Sequence, residues 1–147
     1  VPNIAGLGKA AELALANVEH EQTQVRAMRD RLEKGLLEAI PSSRVNGDRE
    51  RRLPNTANIS FEHVEGEAIL LMMSDLGMAA SSGSACPSGS LEPSHVLRAM
   101  GIPYTFAHGS IRFSLSRYNT EADVDHVLEH MPKIIARLRE ISPFWKG

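Results

Sequence analysis

A chain of 147 residues is long enough for one domain with its own core. With 42% hydrophobic residues, 23% charged residues and a net charge of −2, the composition is that of a globular protein and makes no electrostatic case for a nucleic-acid or acidic-membrane partner. The single cysteine excludes an internal disulfide and a zinc site of several thiolates, and it fits a reducing cytoplasm. No apolar run approaches the roughly 20 residues that span a bilayer. The opening Val1-Pro2-Asn3 has neither a methionine nor a signal pattern and reads as the interior of a longer polypeptide, a fragment or a cleaved product.

Residues 2–40 carry a helical pattern. Leu13, Val25, Met28, Leu32, Leu36 and Ile40 recur at helical spacing between charged residues, and Pro41 stops the run. About 35 helical residues at ~1.5 Å each give roughly 50 Å, more than a domain this size spans. The helix is therefore expected to break near Gly6-Leu7-Gly8 or to lie along something else. A short strand is expected at 44–46. The polar loop 47–55, with Arg49, Arg51 and Arg52, reads as a solvated hairpin tip. Alternation over 56–61 predicts a half-buried strand with Ala57, Ile59 and Phe61 on one face. A helix follows over 67–76, closed by Gly77, with Met72 and Met73 as core filler. A brief strand over 78–80 leads into the stretch 81–93.

Ser94 stands where it can cap a helix over 95–100 that Gly101 ends. Residues 102–107 read as a connection. Over 109–116 the chain alternates again, with Ile111, Phe113 and Leu115 toward the core and Arg112, Ser114 and Ser116 away from it. Thr120 with Asp123 makes a capping box for a last helix. Its buried stripe is Val124, Val127, Leu128, Met131, Ile135 and Leu138, and Pro132 should bend it. His126-Val-Leu-Glu-His130 matches a zinc-peptidase pattern, but both histidines lie opposite the apolar stripe and no third ligand is evident, so they read as exposed helix residues.

The stretch 81–93, Ser-Ser-Gly-Ser-Ala-Cys-Pro-Ser-Gly-Ser-Leu-Glu-Pro, holds the only cysteine among five serines, two glycines and two prolines. Such a composition continues neither helix nor ladder and offers little apolar burial. It predicts an exposed, mobile loop with Cys86 near its centre. The thiol is a free surface cysteine, a core cysteine or a nucleophile that travels. Arg112, on a strand face opposite core residues, is a surface charge or a fork for a carboxylate.

The order of residues in two motifs carries a resemblance. Ser-Ser-Gly-Ser-Ala-Cys86 followed by Ser-Leu-Glu-Pro-Ser-His-Val-Leu-Arg-Ala-Met-Gly, and then His108-Gly-Ser-Ile-Arg-Phe-Ser-Leu-Ser-Arg117, resemble the active-site loop and the next motif of the pyridoxal-phosphate-dependent cysteine desulfurases. Ile102-Pro-Tyr-Thr and the ending Ser142-Pro-Phe-Trp145 resemble that family's nitrogen-fixation branch. The resemblance runs along the whole chain.

It implies an α/β fold: a small, mainly antiparallel sheet with helices on one face, the C-terminal small domain of a fold-type-I pyridoxal-phosphate transferase. Residues 1–147 would be that domain, with 1–8 leading in from an absent N-terminal large domain. By the same resemblance Cys86 is the catalytic nucleophile that takes sulfur from L-cysteine as a persulfide, leaving alanine. Through that persulfide Cys86 is also a candidate transient iron–sulfur ligand. Arg112 grips the substrate carboxylate, Arg117 supports the site or pairs structurally, and His108 stands behind it or simply enters the strand. Implied partners are L-cysteine, an iron–sulfur scaffold protein that accepts sulfur for nitrogenase maturation, and a second copy in a homodimer.

Two departures bear on this. Pro87 replaces the family's usual threonine and deletes an N–H beside the thiol. None of Lys9, Lys34, Lys133 and Lys146 has the Ser-His-Lys context of a Schiff-base lysine, so no cofactor-binding residue is assigned and the chain alone is expected to be inactive. Two rival readings remain: a selenocysteine or cysteine-sulfinate lyase, which needs the arginine more than the thiol, and a non-enzymatic thiol carrier or partner-binding module.

Overall fold

The computed structural model describes residues 1–82 and 93–145. The predicted loop around Cys86, with Gly83, Pro87 and Gly89, and Lys146 lie outside the described residues. The long helical pattern is realised without a break at Gly6–Gly8. Helix α1 (Pro2–His20) passes through a π-helical turn (Glu21–Val25) into α2 (Arg26–Ala39). Alanine, leucine and glutamate around the glycines carry the helix, and both glycines face open space. The excess length is accommodated by exposure: α1 buries no residue, and burial begins at Val25, Met28, Leu32 and Leu36.

Three antiparallel strands form one sheet in the order β1 (Ser43–Val45), β2 (Thr56–Phe61), β3 (Ser110–Ser114). The first strand begins one residue earlier than expected. Ile59 pairs with Ile111 and Ala57 with Phe113 across β2 and β3. These residues and Phe61 form the buried face. Against it pack α2, α3 (Gly66–Asp75) and α6 (Glu121–Ile141). Removing each of the large side chains, Ile59, Phe61, Ile111 and Phe113, from water contributes roughly 1.5–3 kcal/mol. Helices α2, α3 and α6 thus lie on one face, and the other face carries the polar residues of each strand.

Gly77, at φ +75, closes α3 as the sequence predicts, with the Met78 N–H returning to the Met73 carbonyl at 3.0 Å. The expected strand at 78–80 is replaced by a single bridge from Ser81 to Arg112. Ser94 occupies the N-cap of α4 (His95–Ala99), but its side chain makes no cap hydrogen bond. The connection at 102–107 contains a further short helix, α5 (Tyr104–Ala107). Helix α6 has the predicted capping box of Thr120 and Asp123, and it continues through Pro132. Val124, Met131 and Ile135 of the predicted stripe are buried, with Val127, Leu128 and Leu138 half-buried beside them. Ile134 and Arg139 are also buried. Among the described residues no helix is long and apolar enough to cross a membrane.

Arg139 is a structural clamp. Its guanidinium donates to the carbonyls of Pro41 (2.7 Å), Ser42 (3.1 Å) and Glu62 (3.2 Å) and lies 3.9 Å from the centre of the Trp145 ring. It ties the end of α6 to the turns that precede β1 and follow β2. A lysine offers one point charge in place of the planar fork. Arg139→Lys is therefore expected to cost about 1–2 kcal/mol, read as a lower urea midpoint at unchanged m-value. An unshifted midpoint would show that the clamp adds nothing.

Candidate active site

The polar face of the sheet is built by alternation. On β3, Ile111 and Phe113 point into the core, so Arg112 must point to the opposite face, where it is exposed. The register sets its neighbours. Asn58 on β2 is the direct cross-strand partner of Arg112. The backbone N–H of Asn46 donates to the Asn58 carbonyl at 2.9 Å. On the other side, Arg112 and Ser81 exchange both backbone bonds, the Arg112 N–H donating at 2.6 Å and the Ser81 N–H at 3.2 Å. One row therefore crosses the sheet: Asn46, Asn58, Arg112, Ser81.

Ser81 is five residues before Cys86. The segment bearing the predicted nucleophile is thus rooted beside the predicted carboxylate grip. Motifs alone join the two in the sequence; the bridge ties the segment to the strand physically.

A side-chain network underlies the row. The Asn46 amide donates to Asn58 Oδ1 (2.6 Å) and Ser60 Oγ (2.7 Å), and Ser110 Oγ donates to the same Asn58 Oδ1 (2.8 Å). Ser60 and Ser110 are fully buried, and Asn46 is 7% exposed. Sequence reasoning missed this network. Alternation put Asn58 and Ser60 on the polar face, but nothing local reveals which residue beside β1 meets them.

The other residues singled out by sequence fall elsewhere. Arg117 donates to the Tyr118 hydroxyl at 2.6 Å and stacks on its ring, a local pairing beyond the end of β3. His108 stands 3.3 Å from Glu65 through Nδ1 and edge-on to Tyr104. It lines a largely apolar groove of about 570 Å³ with His63, Ala68, Leu138 and Phe144, which does not include Arg112. The arginine loop is less solvated than expected: Arg52 is largely buried and pairs with Glu33 of α2 at 2.7 Å, with Arg49 3.7 Å from the same carboxylate. His126 meets the Leu76 carbonyl at 3.0 Å and His130 edge-on. Among the described residues no three His, Cys, Asp or Glu side chains stand close enough to hold a metal ion.

The described lysines do not fit a cofactor aldehyde. Lys9 pairs with Glu12 (2.8 Å), Lys34 with Glu38 (3.8 Å) and Lys133 with Glu129 (3.0 Å), all on exposed helix surface. Those of α2 and α6 belong to helices packed on the sheet face opposite Arg112. Among the described residues, the Arg112 face offers an exposed guanidinium and no lysine amine.

Residues 1–127 match the family described as Aminotransferase class-V. The chain belongs to the class-V aminotransferase family. Within it, the chain is 69% identical over its full length to a cysteine desulfurase of Gluconacetobacter diazotrophicus. It is 62% identical, over 99% of its length, to the protein named cysteine desulfurase NifS of Azotobacter vinelandii. It spans 37% and 36% of those two relatives. Among solved structures it is similar to one titled NifS-like protein, with TM-score 0.78 and 31% identity over 93% of this chain and 34% of that one. The NifS-like protein of Rickettsia africae aligns with TM-score 0.77 and 29% identity over 90% of this chain and 34% of that one. The similarity to these solved structures covers the three-stranded antiparallel sheet and its helices.

Proposed function

We propose that residues 1–147 are the C-terminal small domain of a pyridoxal-phosphate-dependent cysteine desulfurase. The whole enzyme converts L-cysteine to L-alanine, leaves the sulfur as a persulfide on Cys86 and hands it to an iron–sulfur scaffold protein. The observation that carries this reading is the backbone pairing of Ser81 with Arg112, which roots the cysteine segment at the strand residue that grips the substrate. The names of the relatives, at 62% and 69% identity, support the same reaction.

The roles divide by chemistry. The cofactor, held by the rest of the polypeptide, supplies the electron sink that weakens the bond to the substrate sulfur. This chain supplies the carboxylate grip at Arg112 and the acceptor thiol at Cys86. Only a thiolate is soft and nucleophilic enough to take sulfur near neutral pH. The single cysteine favours a reducing cytoplasm, the Ser142-Pro-Phe-Trp145 motif favours nitrogenase maturation, and the family resemblance adds a homodimer.

Arg112→Lys in the full-length enzyme tests the site. A point charge replaces a two-pronged fork, so the KM for L-cysteine should rise by about 1.5–3 kcal/mol, roughly ten- to hundredfold. Unchanged KM and rate would remove Arg112 from the site.

A further inference from the structure

Asn58 holds a position that the proposed reaction has not yet used. In an antiparallel pair, residues that do not exchange backbone bonds approach most closely, with Cα atoms about 4.5 Å apart. Arg112 directs both its backbone groups to Ser81, and Asn58 gives its carbonyl to Asn46. The pair Asn58–Arg112 is therefore of the close kind, with both side chains on the polar face.

The amide of Asn58 is also oriented. Its Oδ1 accepts two hydrogen bonds, from Asn46 beside β1 and from Ser110 on β3. The amide is planar, so its Nδ2 end is turned away from both donors. That end has no acceptor among the described residues, and it belongs to a half-buried residue on the face that carries the exposed Arg112. Asn46, nine-tenths buried, has a sealed Oδ1 with no partner among the described residues. The sheet thus leaves one buried acceptor unsatisfied while Asn46 donates twice, to Asn58 and Ser60, holding Asn58 in this orientation.

We infer that the Asn58 side-chain amide is a second donor for the substrate carboxylate, beside the Arg112 guanidinium. The inference rests on the reading of Arg112 as the carboxylate grip. A guanidinium fork alone fixes a carboxylate in its own plane. A donor from the neighbouring strand fixes it from a second direction and holds the amino acid in one pose. Asn46, Ser60 and Ser110 are positioning residues that act through Asn58.

The test uses the full-length enzyme. Asn58→Asp keeps an oxygen for Asn46 and Ser110 but replaces the donor with an anion. The KM for L-cysteine should rise at least tenfold, with kcat within about threefold, because a charged hydrogen bond is lost and a repulsion added. Asn58→Ala should raise KM about fivefold. The inhibition constant of L-alanine, which carries the carboxylate and does not react, should weaken by the same factors. Arg112→Lys combined with Asn58→Ala should fall short of the product of the single effects, since both touch one carboxylate.

The inference is overturned if Asn58→Asp leaves KM and the alanine constant within twofold of wild type while Arg112→Lys raises them. A fall in kcat alone, or failure of both Asn58 variants to fold, also overturns it by making the amide merely structural. If Arg112→Lys has no effect, the underlying reading of the site fails first, and this inference fails with it.

Discussion

Cys86→Ala in the full-length enzyme should abolish formation of alanine and persulfide from L-cysteine, while binding of L-cysteine and of the cofactor stays near wild type. Transfer of a neutral sulfur atom needs a polarisable nucleophile that is partly ionised at neutral pH, and neither a methyl group nor a hydroxyl provides one. The fold should survive, because the residues from 81 to 93 are serine-, glycine- and proline-rich and offer little apolar burial. Substrate binding should survive because Arg112 lies on a separate strand. The same variant separates the rival chemistry. A lyase that expels selenium or sulfinate without a protein nucleophile would still form alanine from selenocysteine or cysteine sulfinate. Side-by-side alanine assays on the three substrates decide. Alanine from L-cysteine at near wild-type rate would mean that Cys86 is not the nucleophile.

Gly109→Ala is expected to destabilise the domain by about 3 kcal/mol or more. A Cβ there would stand 2.0 Å from the Phe61 carbonyl oxygen and 3.0 Å from both Cγ2 and the carbonyl oxygen of Val64. Two of these three atoms, the nearest included, are backbone, so a side-chain rotation cannot relieve the clash. The Gly109 carbonyl accepts the Phe61 N–H at 3.0 Å, and a methyl group would push β3 off β2 where their pairing starts. The loss should appear as a lower urea midpoint. Because Gly109 immediately precedes β3, which carries Arg112, affinity for L-cysteine should fall with stability. A midpoint within about 0.5 kcal/mol of wild type, the range of an ordinary surface change, would contradict this close approach.

Much of the sheet was legible in sequence because alternation is a local signal. Ile111, Phe113 and Leu115 against Arg112, Ser114 and Ser116 can be read one residue at a time, and so can the capping box of Thr120 and Asp123. What escaped was non-local. Arg139 looks like one more polar residue on an amphipathic helix, yet its three carbonyl partners come from residues 41, 42 and 62. Asn58 gains meaning only from the register that sets it opposite Arg112 and Asn46. Helix α5 has four residues, too few for any period to register. The turn after α3 was expected to lead into a strand, but among the described residues its backbone pairs with β3 at Ser81 alone, a contact fixed by tertiary packing rather than by propensity.

The unbroken helix from Pro2 to Ala39 has a consequence for how the chain opens. Its first 19 residues bury nothing, so their hydrogen bonds are held only by helix cooperativity, which is marginal for isolated helices of roughly this length. From Val25 onward the same helix is held by the core it packs against. Local unfolding free energy therefore climbs along a single element, from near zero at its start to that of the whole domain past the π-helical turn. Amide exchange would resolve one continuous helix into two kinetic populations, with the boundary between residues 20 and 25. Any surface that covers Ile4, Leu7 and Leu15, which are 76%, 72% and 79% exposed, would be registered as slowed exchange in the first population alone.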